Sequence, residues 1–154
     1  MRHVIVCALL VLAAGCSRAS TPEQEGERFH QFYNAGDYSG LFRTATNELK
    51  YESEETFAHL VRGVHDRMGL AREANLRSVR RFEEQGKNLV VLYYDTQFER
   101  GAGREAITYR VMDGERLLLD GYEAREPGGR HTLMGYYASF LEEMAARAHA
   151  QPRR

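Results

Sequence analysis

Apolar residues recur with two different periods along the chain, and the change of period divides it into a helical first half and a strand-rich second half. In the first half they lie three, four, seven and eleven positions after Phe57, which is typical of one face of a helix. From residue 76 onward apolar and polar positions alternate, as they do in strands with two opposite faces. This order predicts an α+β fold in which N-terminal helices pack on a curved antiparallel sheet.

The first helix is predicted from its capping residues. Thr21 suits the N-cap, Pro22 suits the first helical position, and Gln24 completes a capping box. The turn-forming stretch 34–37 is expected to end the helix. The apolar stripe of this helix consists of Phe29, Phe32 and Tyr33.

Two further helices are predicted before residue 70. A short one covers about residues 38–44, and Ser53 opens a longer one. Glu54 and Glu55 in the first turn of the longer helix favour the helix dipole, and Gly69 suits a left-handed C-terminal residue. The inward face of this helix consists of Phe57, Leu60, Val61, Val64 and Met68.

The second half predicts an antiparallel meander of strands. The segment 76–83 is charged and suits an edge, whereas 88–98 is apolar on both faces over its first half and suits a central position. A flexible turn over residues 99–103 leads to a strand at 104–112. Asp113-Gly114 predicts a two-residue hairpin, followed by a strand over residues 115–124. In that last strand, simple alternation places Leu117 and Leu119 opposite Leu118 and Tyr122.

A further amphipathic helix is predicted at the C-terminus. Pro127-Gly128-Gly129 breaks the strand pattern, and Met134, Tyr137, Phe140, Leu141 and Met144 then line one face of residues 131–148. Two arrangements remain open, because this helix can pack on the domain or act as a semi-independent tail. Residues 149–154 are expected to be a disordered tail.

The N-terminus has the features of an export signal. Val4 to Ala14 is an apolar run of 11 residues, shorter than the roughly 20 that a spanning helix needs. Leu12-Ala13-Ala14-Gly15-Cys16 resembles the bacterial lipobox, although Leu is more usual where Ala13 stands. The resemblance implies that residues 1–15 are a signal peptide and that residues 16–20 form a tether.

The lipobox resemblance also implies a lipid on Cys16, which would hold the domain at the membrane. By resemblance to Gram-negative lipoproteins, Ser17 after the cysteine implies the outer membrane, facing the periplasm. An ordinary signal peptide with Cys16 incidental is the alternative.

Composition bounds the possible chemistry. The chain has 154 residues, which suits one domain, and a formal net charge of −1, which gives no basic footprint for nucleic acid. Of its two cysteines, Cys7 lies in the export signal and Cys16 would carry lipid. The mature chain would then have no thiol for a disulfide, a nucleophile or a zinc site.

The order of elements is similar to the cone-shaped NTF2-like (cystatin-like) superfamily. Residues 23–125 more narrowly resemble small exported domains of the DUF4019/DUF3887 type. The features that carry the resemblance are Asn34-Ala35-Gly36-Asp37-Tyr38, Leu41-Phe42, the Ser53-led helix, Tyr93-Tyr94…Phe98, and the Asp113-Gly114 hairpin before Leu119-Asp120-Gly121-Tyr122. The superfamily includes isomerases and dehydratases with a carboxylate or His base inside the cone, but the scaffold alone does not define a chemistry.

One set of residues suggests such a base. Asp95 lies in a strongly apolar strand beside Tyr94, and Tyr109 and Tyr122 are expected to reach the same concave face. In the competing interpretation, Asp95 lies where the strand meets solvent, and the tyrosines are core rings.

Other polar residues point to ordinary surface positions. His59 and His65 are six residues apart, about 240° around a helix, so they do not suit a metal. His30 and His131 have no evident partner ligand and are expected at the surface or at a helix end. Arg77, Arg80 and Arg81 suit a charge-protected edge strand or, as an alternative, contacts to an anionic partner such as lipid headgroups.

The leading hypothesis is a lipid-anchored periplasmic domain that is not an enzyme and binds a protein partner or a small ligand. No cofactor, metal or nucleic acid is expected. The alternatives are a pocket enzyme with Asp95 as base, and an envelope assembly component that acts through the C-terminal helix. A homodimer through the sheet face is compatible with each.

Overall fold

The computed structural model of the protein describes residues 20–50, 53–126 and 131–134. Within these ranges, helices are followed by a five-stranded antiparallel sheet, which confirms the predicted α+β class. The helices are α1 (Pro22–Ala35), α2 (Tyr38–Arg43), α3 (Asn47–Lys50) and α4 (Glu54–Met68). The strands are β1 (Ala71–Glu84), β2 (Lys87–Phe98), β3 (Gly101–Val111), β4 (Leu117–Arg125) and β5 (His131–Met134).

Helix α1 begins and ends where its capping chemistry predicts. The backbone N–H of Gln24 donates to Thr21 Oγ1 at 3.3 Å, and the Gln24 side chain accepts from the Thr21 N–H at 2.9 Å. Gly36 ends the helix with φ of 67°, a left-handed value that glycine adopts without a Cβ clash. The helix buries Phe29 and Tyr33 against the sheet, so its position decides what fills the interior.

Helix α4 also confirms its prediction. Ser53 caps it by accepting the N–H of Thr56, and Gly69 follows its last residue. The predicted inward face is buried except for Leu60, which is partly exposed. Helix α3 was not predicted, because a single turn of four residues offers no apolar period to recognise.

The sheet is a meander in which each strand pairs with the next in sequence, in the order β1-β2-β3-β4-β5. Strand β1 lies at one edge, as its charge predicts. Residues 89–92 of β2 are at most 1% exposed, which agrees with their apolar character on both faces. Most of the core lies between the helices and the face formed by Val90, Leu92, Ile107, Tyr109 and Tyr122.

Strands β1 and β3 begin earlier than predicted. Strand β1 begins at Ala71 instead of residue 76, because Ala71 pairs with Phe98 at the end of β2. The predicted turn over 99–103 shortens to Glu99 and Arg100, whose backbone N–H groups donate to Leu70 and Met68 at 2.8 and 3.0 Å. These bonds tie the β2–β3 turn to the end of α4.

The β3–β4 connection was predicted incorrectly. Instead of a two-residue turn at Asp113-Gly114, a 3₁₀ turn covers Asp113–Glu115, and the N–H of Met112 donates to Arg116 at 2.8 Å. Glu115 takes a positive φ of 61°. The three-residue turn delays the start of β4 to Leu117.

The predicted assignment of β4 residues to the two faces of the sheet is wrong, because β4 contains a β-bulge. Tyr109 pairs with Leu119, but the next pair joins Thr108 to Gly121, so Asp120 is the extra residue. The insertion reverses the alternation, and Tyr122 therefore lies on the same buried face as Leu119.

The C-terminal prediction changes in part. Residues 131–134 do not begin a helix but form β5, which pairs with Tyr122 to Arg125 of β4. The remainder of the predicted helix, the signal peptide 1–15, tether residues 16–19 and the tail 149–154 lie outside the described residues. Among the described helices, none has the length and apolar character needed to cross a bilayer.

The close approach of α1 to β2 gives a stability prediction. A Cβ on Gly26 would overlap Tyr94 Oη, whereas a Cβ on Gly63 in α4 would meet no atom within 4 Å. Gly26→Ala should lower the free energy of unfolding by about 1–3 kcal/mol through overpacking. Gly63→Ala should raise it by up to about 1 kcal/mol through helix propensity.

Urea unfolding of both variants measures this difference. Equal effects of the two substitutions would show that α1 does not lie against Tyr94.

Candidate functional site

The most unusual buried group is the carboxylate of Glu105, on the inner face of β3. It shares this face with Ile107 and Tyr109, because residues two apart in a strand point the same way. Its side chain has no exposure to solvent. A buried carboxylate is strongly destabilising unless hydrogen-bond donors surround it.

Three side chains from three elements supply that environment. Tyr122 Oη of β4 donates to Glu105 Oε1 at 2.6 Å. Thr96 Oγ1 of β2 donates to Glu105 Oε2, and His30 Nε2 of α1 lies 3.0 Å from the same oxygen. We call Glu105, His30, Thr96 and Tyr122 the Glu105 cluster. It joins α1 to three adjacent strands through one side chain.

His30 is held in place by aromatic rings as well as by the carboxylate. Its ring meets the ring of Tyr94 edge to face at a centroid distance of 5.0 Å, and that of Phe29 at 5.8 Å. The predicted surface position of His30 is therefore wrong, since the residue is only 9% exposed. Because a carboxylate only accepts, the tautomer with a proton on Nε2 suits this contact.

The tyrosines around the cluster are fixed and neutral. Tyr109 Oη donates to the carbonyl of Glu25 at 2.8 Å, and Tyr33 Oη donates to that of Gly69 at 3.0 Å. Burial raises the pKa of Tyr94 to about 12, and the charge of Glu105 adds to the effect. Burial, with Glu105 as the next cause, also raises the pKa of Tyr122 well above its ordinary value. These hydroxyls therefore keep their protons at physiological pH and remain donors.

The structure brings together only part of the predicted constellation. Tyr94, Tyr109 and Tyr122 all lie on the inner face. Asp95 does not join them, because neighbouring residues of a strand point to opposite faces. Its side chain is 48% exposed and lies 3.1 Å from Arg77 and 3.6 Å from Arg104.

Asp95 instead lines an open groove on the outer side of the sheet. The groove encloses about 680 Å³, and its lining includes Asn75, Gln97, Arg104 and Arg125. Next to it on the edge strand, Arg80 lies over the ring of Tyr93 at 5.8 Å. Charges of both signs alternate here, so this outer face has none of the dry character that a catalytic base needs.

Sequence reasoning missed Glu105 and His30, although a signal for Glu105 was present. Glu105 precedes Ile107 by two residues and Tyr109 by four, so alternation places the three side chains on one face of the strand. A carboxylate in phase with an apolar stripe indicates a buried, hydrogen-bonded group. His30 gave no such signal, because it lies one position away from the stripe through Phe29 and Tyr33.

The described residues do not assemble a metal centre. Within the described ranges, no three His, Cys, Asp or Glu side chains are arranged to hold a metal ion. His59 is exposed, and the ring of His65 packs edge to face on Tyr33 and Tyr38. Cys16 lies outside the described residues.

The geometry limits what the Glu105 cluster can do. Both carboxylate oxygens already accept hydrogen bonds, and helix α1 covers the side that a substrate would have to approach. General-base chemistry needs a free oxygen within reach of a substrate proton. The cluster therefore fixes the interior and offers no reaction site in this conformation.

Removing the charge of Glu105 should destabilise the domain. Glu105→Gln replaces one accepting oxygen with a donating amide, so a group that donates to Glu105 would have to reverse its role, and the free energy of unfolding should fall by about 1–3 kcal/mol. Asp95→Asn removes a carboxylate one strand away but should cost less than about 1 kcal/mol, because its ion pairs are exposed.

Urea denaturation of the two variants gives the comparison. A Glu105→Gln protein as stable as Asp95→Asn would contradict the structural role of the cluster.

Alkaline pH should destabilise the fold through the buried tyrosines. Tyrosine in an unfolded chain titrates near pH 10. Because folding raises the pKa of Tyr94 to about 12, the unfolded state binds fewer protons above pH 10, and stability should be intact below pH 10 and fall between about pH 10 and 12. Unfolding at several pH values, with phenolate absorbance followed in parallel, measures this loss.

Tyr94→Phe is the control, and it should remove about 1.4 kcal/mol per pH unit from the slope in that range. Titration of all nine tyrosines near pH 10 in the folded protein would rule out the buried aromatic interior.

Comparison of the chain with models of protein families, with curated proteins and with solved structures finds no match. The sequence and the geometry of the described residues are therefore the basis for any functional proposal.

Proposed function

We propose that this chain is a lipid-anchored periplasmic protein whose α+β domain binds a protein partner or a small ligand and catalyses no reaction. The observation that carries the non-enzymatic part is the closed interior around Glu105. In a pocket enzyme of this architecture the same face would surround a substrate. Here it is occupied by Tyr33, Tyr94 and Tyr122, each at most 5% exposed.

The anchor is supported by the first residues of the chain. The apolar run of 11 residues from Val4 to Ala14 leads into Gly15-Cys16, and Leu12-Ala13-Ala14-Gly15-Cys16 resembles the pattern that a lipoprotein peptidase recognises. Several acyl chains on one residue give stable membrane attachment, at about 0.8 kcal/mol for each buried CH₂. The domain begins at the Thr21 cap, so the five-residue tether 16–20 spans at most about 18 Å. The domain would thus work close to the bilayer surface.

The proposed scaffold is of the NTF2-like type, with a C-terminal helix that follows β5. The helices-first order, the antiparallel meander and the aromatic inner face support the scaffold. The apolar stripe of Tyr137, Phe140, Leu141 and Met144 supports a helix after residue 134.

The competing enzyme hypothesis needs Asp95 in a dry cavity opposite the tyrosine hydroxyls. Its half-exposed position between Arg77 and Arg104 lies on the opposite face of the sheet, away from the tyrosine hydroxyls and open to solvent. This placement favours binding over catalysis.

Replacing the lipidated cysteine should release the protein from membranes. Cys16→Ser removes the sulfur that accepts the diacylglyceryl group, so the variant should fractionate as a soluble protein. Mass spectrometry of the wild-type N-terminal peptide should show acyl chains on Cys16.

Cys7→Ser is the matched control, since this cysteine lies in the segment that cleavage discards and the variant should stay in the membrane. An intact thiol on Cys16 in membrane-purified protein would overturn the anchor.

A further inference from the structure

A second buried polar group lies on the other side of the sheet, at the end of β3. Arg110 is 8% exposed, which is unusual for arginine, a residue that is seldom buried without partners. Its Nη1 bonds Glu48 Oε1 at 2.5 Å, and its Nη2 bonds Asp120 Oδ1 at 2.7 Å. Its Nε is buried and has no hydrogen-bond partner. A buried guanidinium N–H without an acceptor is unfavourable, so a hydrogen bond to it would be stabilising.

Arg110 lines a pocket between the α2–α3 segment and the start of β4. The pocket encloses about 260 Å³, and its charged lining is Arg43, Glu48, Lys50, Arg110 and Arg116. Sites for drug-sized ligands enclose about 300–1,000 Å³, so this pocket suits a smaller molecule.

The charges around the pocket favour an anion. Among the described residues, four cations and one carboxylate, that of Glu48, line it, and one of the cations, Arg43, also pairs with Asp37 at 3.8 Å. Asp120, behind Arg110, offsets one further charge. Its Oδ1 also accepts from Thr46 Oγ1 at 2.6 Å, whereas its Oδ2 is buried and has no hydrogen-bond partner. Lys50 Nζ donates to the backbone carbonyl of Arg43 at 3.3 Å, which is an uncharged acceptor. Arginine forks match phosphate oxygens in geometry as well as in charge.

Glu48 occupies the place that such an anion would take. Its side chain is 52% exposed and forms ion pairs with Arg110 at 2.5 Å and with Lys87 at 3.6 Å. The hydrogen bond from Arg110 holds the pKa of Glu48 below its ordinary value, so the position stabilises negative charge. An exposed glutamate can turn away into solvent at small cost, whereas the buried Arg110 cannot move.

We infer that this pocket binds a small phosphate-bearing anion, which contacts Arg110, Lys50 and Arg116 and displaces the Glu48 carboxylate. The inference rests on the proposed binding function and names the chemical class of the ligand. The anion can be a free phosphomonoester or the phosphate of a lipid headgroup, which present the same group to the pocket.

The test is titration calorimetry of the full chain, in neutral detergent, with inorganic phosphate and glycerol 3-phosphate as probes. Saturable binding is expected, and Lys50→Gln and Arg116→Gln should each weaken it about tenfold, the loss expected for one charge-assisted contact. Glu48→Gln should tighten it, because the competing carboxylate is removed. Arg116 is exposed, so its variant does not depend on the stability of the core.

Arg104→Gln is the charge-matched control. It removes one positive charge from a side chain that is 83% exposed and lies outside this pocket, so phosphate binding should not change. Absence of saturable binding, or equal losses in Arg116→Gln and Arg104→Gln, would overturn the inference. So would weaker binding by Glu48→Gln.

A second arm separates the two sources of the phosphate. Cys16→Ser protein, which lacks the lipid attachment site, is sedimented with vesicles of phosphatidylglycerol or of phosphatidylcholine. Selective binding to phosphatidylglycerol that Lys50→Gln reduces and Arg104→Gln retains assigns a lipid headgroup. Binding of the free probes without vesicle binding assigns a soluble phosphomonoester. Failure of both arms would leave the Cys16 anchor standing, because mass spectrometry reads the anchor separately.

Discussion

The fold depends on how the chain accommodates one carboxylate that has no contact with water. Glu105 lies in the core, and its hydrogen bonds with Tyr122, Thr96 and His30 come from β4, β2 and α1. An unpaired charge in that position would be strongly destabilising, so the four elements must adopt one arrangement together. These hydrogen bonds allow fewer positions of α1 on the sheet than apolar packing alone would allow.

This constraint also separates the inside of the domain from its outside. The inner face is filled by aromatic rings, and the tyrosine hydroxyls there keep their protons as fixed donors. Beyond the sheet lies Arg110, whose buried Nε has no hydrogen-bond partner and whose side chain lines a pocket. A domain of this kind presents its chemistry at the surface, which suits a protein proposed to act beside a membrane.

Helices α1 and α4 could be predicted from the sequence, because capping at Thr21 and Ser53 is local chemistry that tertiary contacts did not override. The antiparallel meander and its edge strand could also be predicted. The bulge at Asp120 could not, since one inserted residue does not change the local sequence pattern yet moves Tyr122 to the opposite face. For Asp95 the sequence left two interpretations open, a base among the tyrosines and a carboxylate where the strand meets solvent. Alternation places Asp95 on the face opposite Tyr94, and its half-exposed side chain agrees with the second interpretation.

A double-mutant cycle between Glu105 and Tyr122 tests this account most directly. The free energies of unfolding of Glu105→Gln, Tyr122→Phe and the double variant give the coupling between two groups whose oxygens lie 2.6 Å apart. The account predicts a coupling free energy of about 1–3 kcal/mol, as expected for contacting members of one buried network. Additive effects of the two substitutions would contradict it, because the carboxylate would then have no energetic link to the strand that closes the interior.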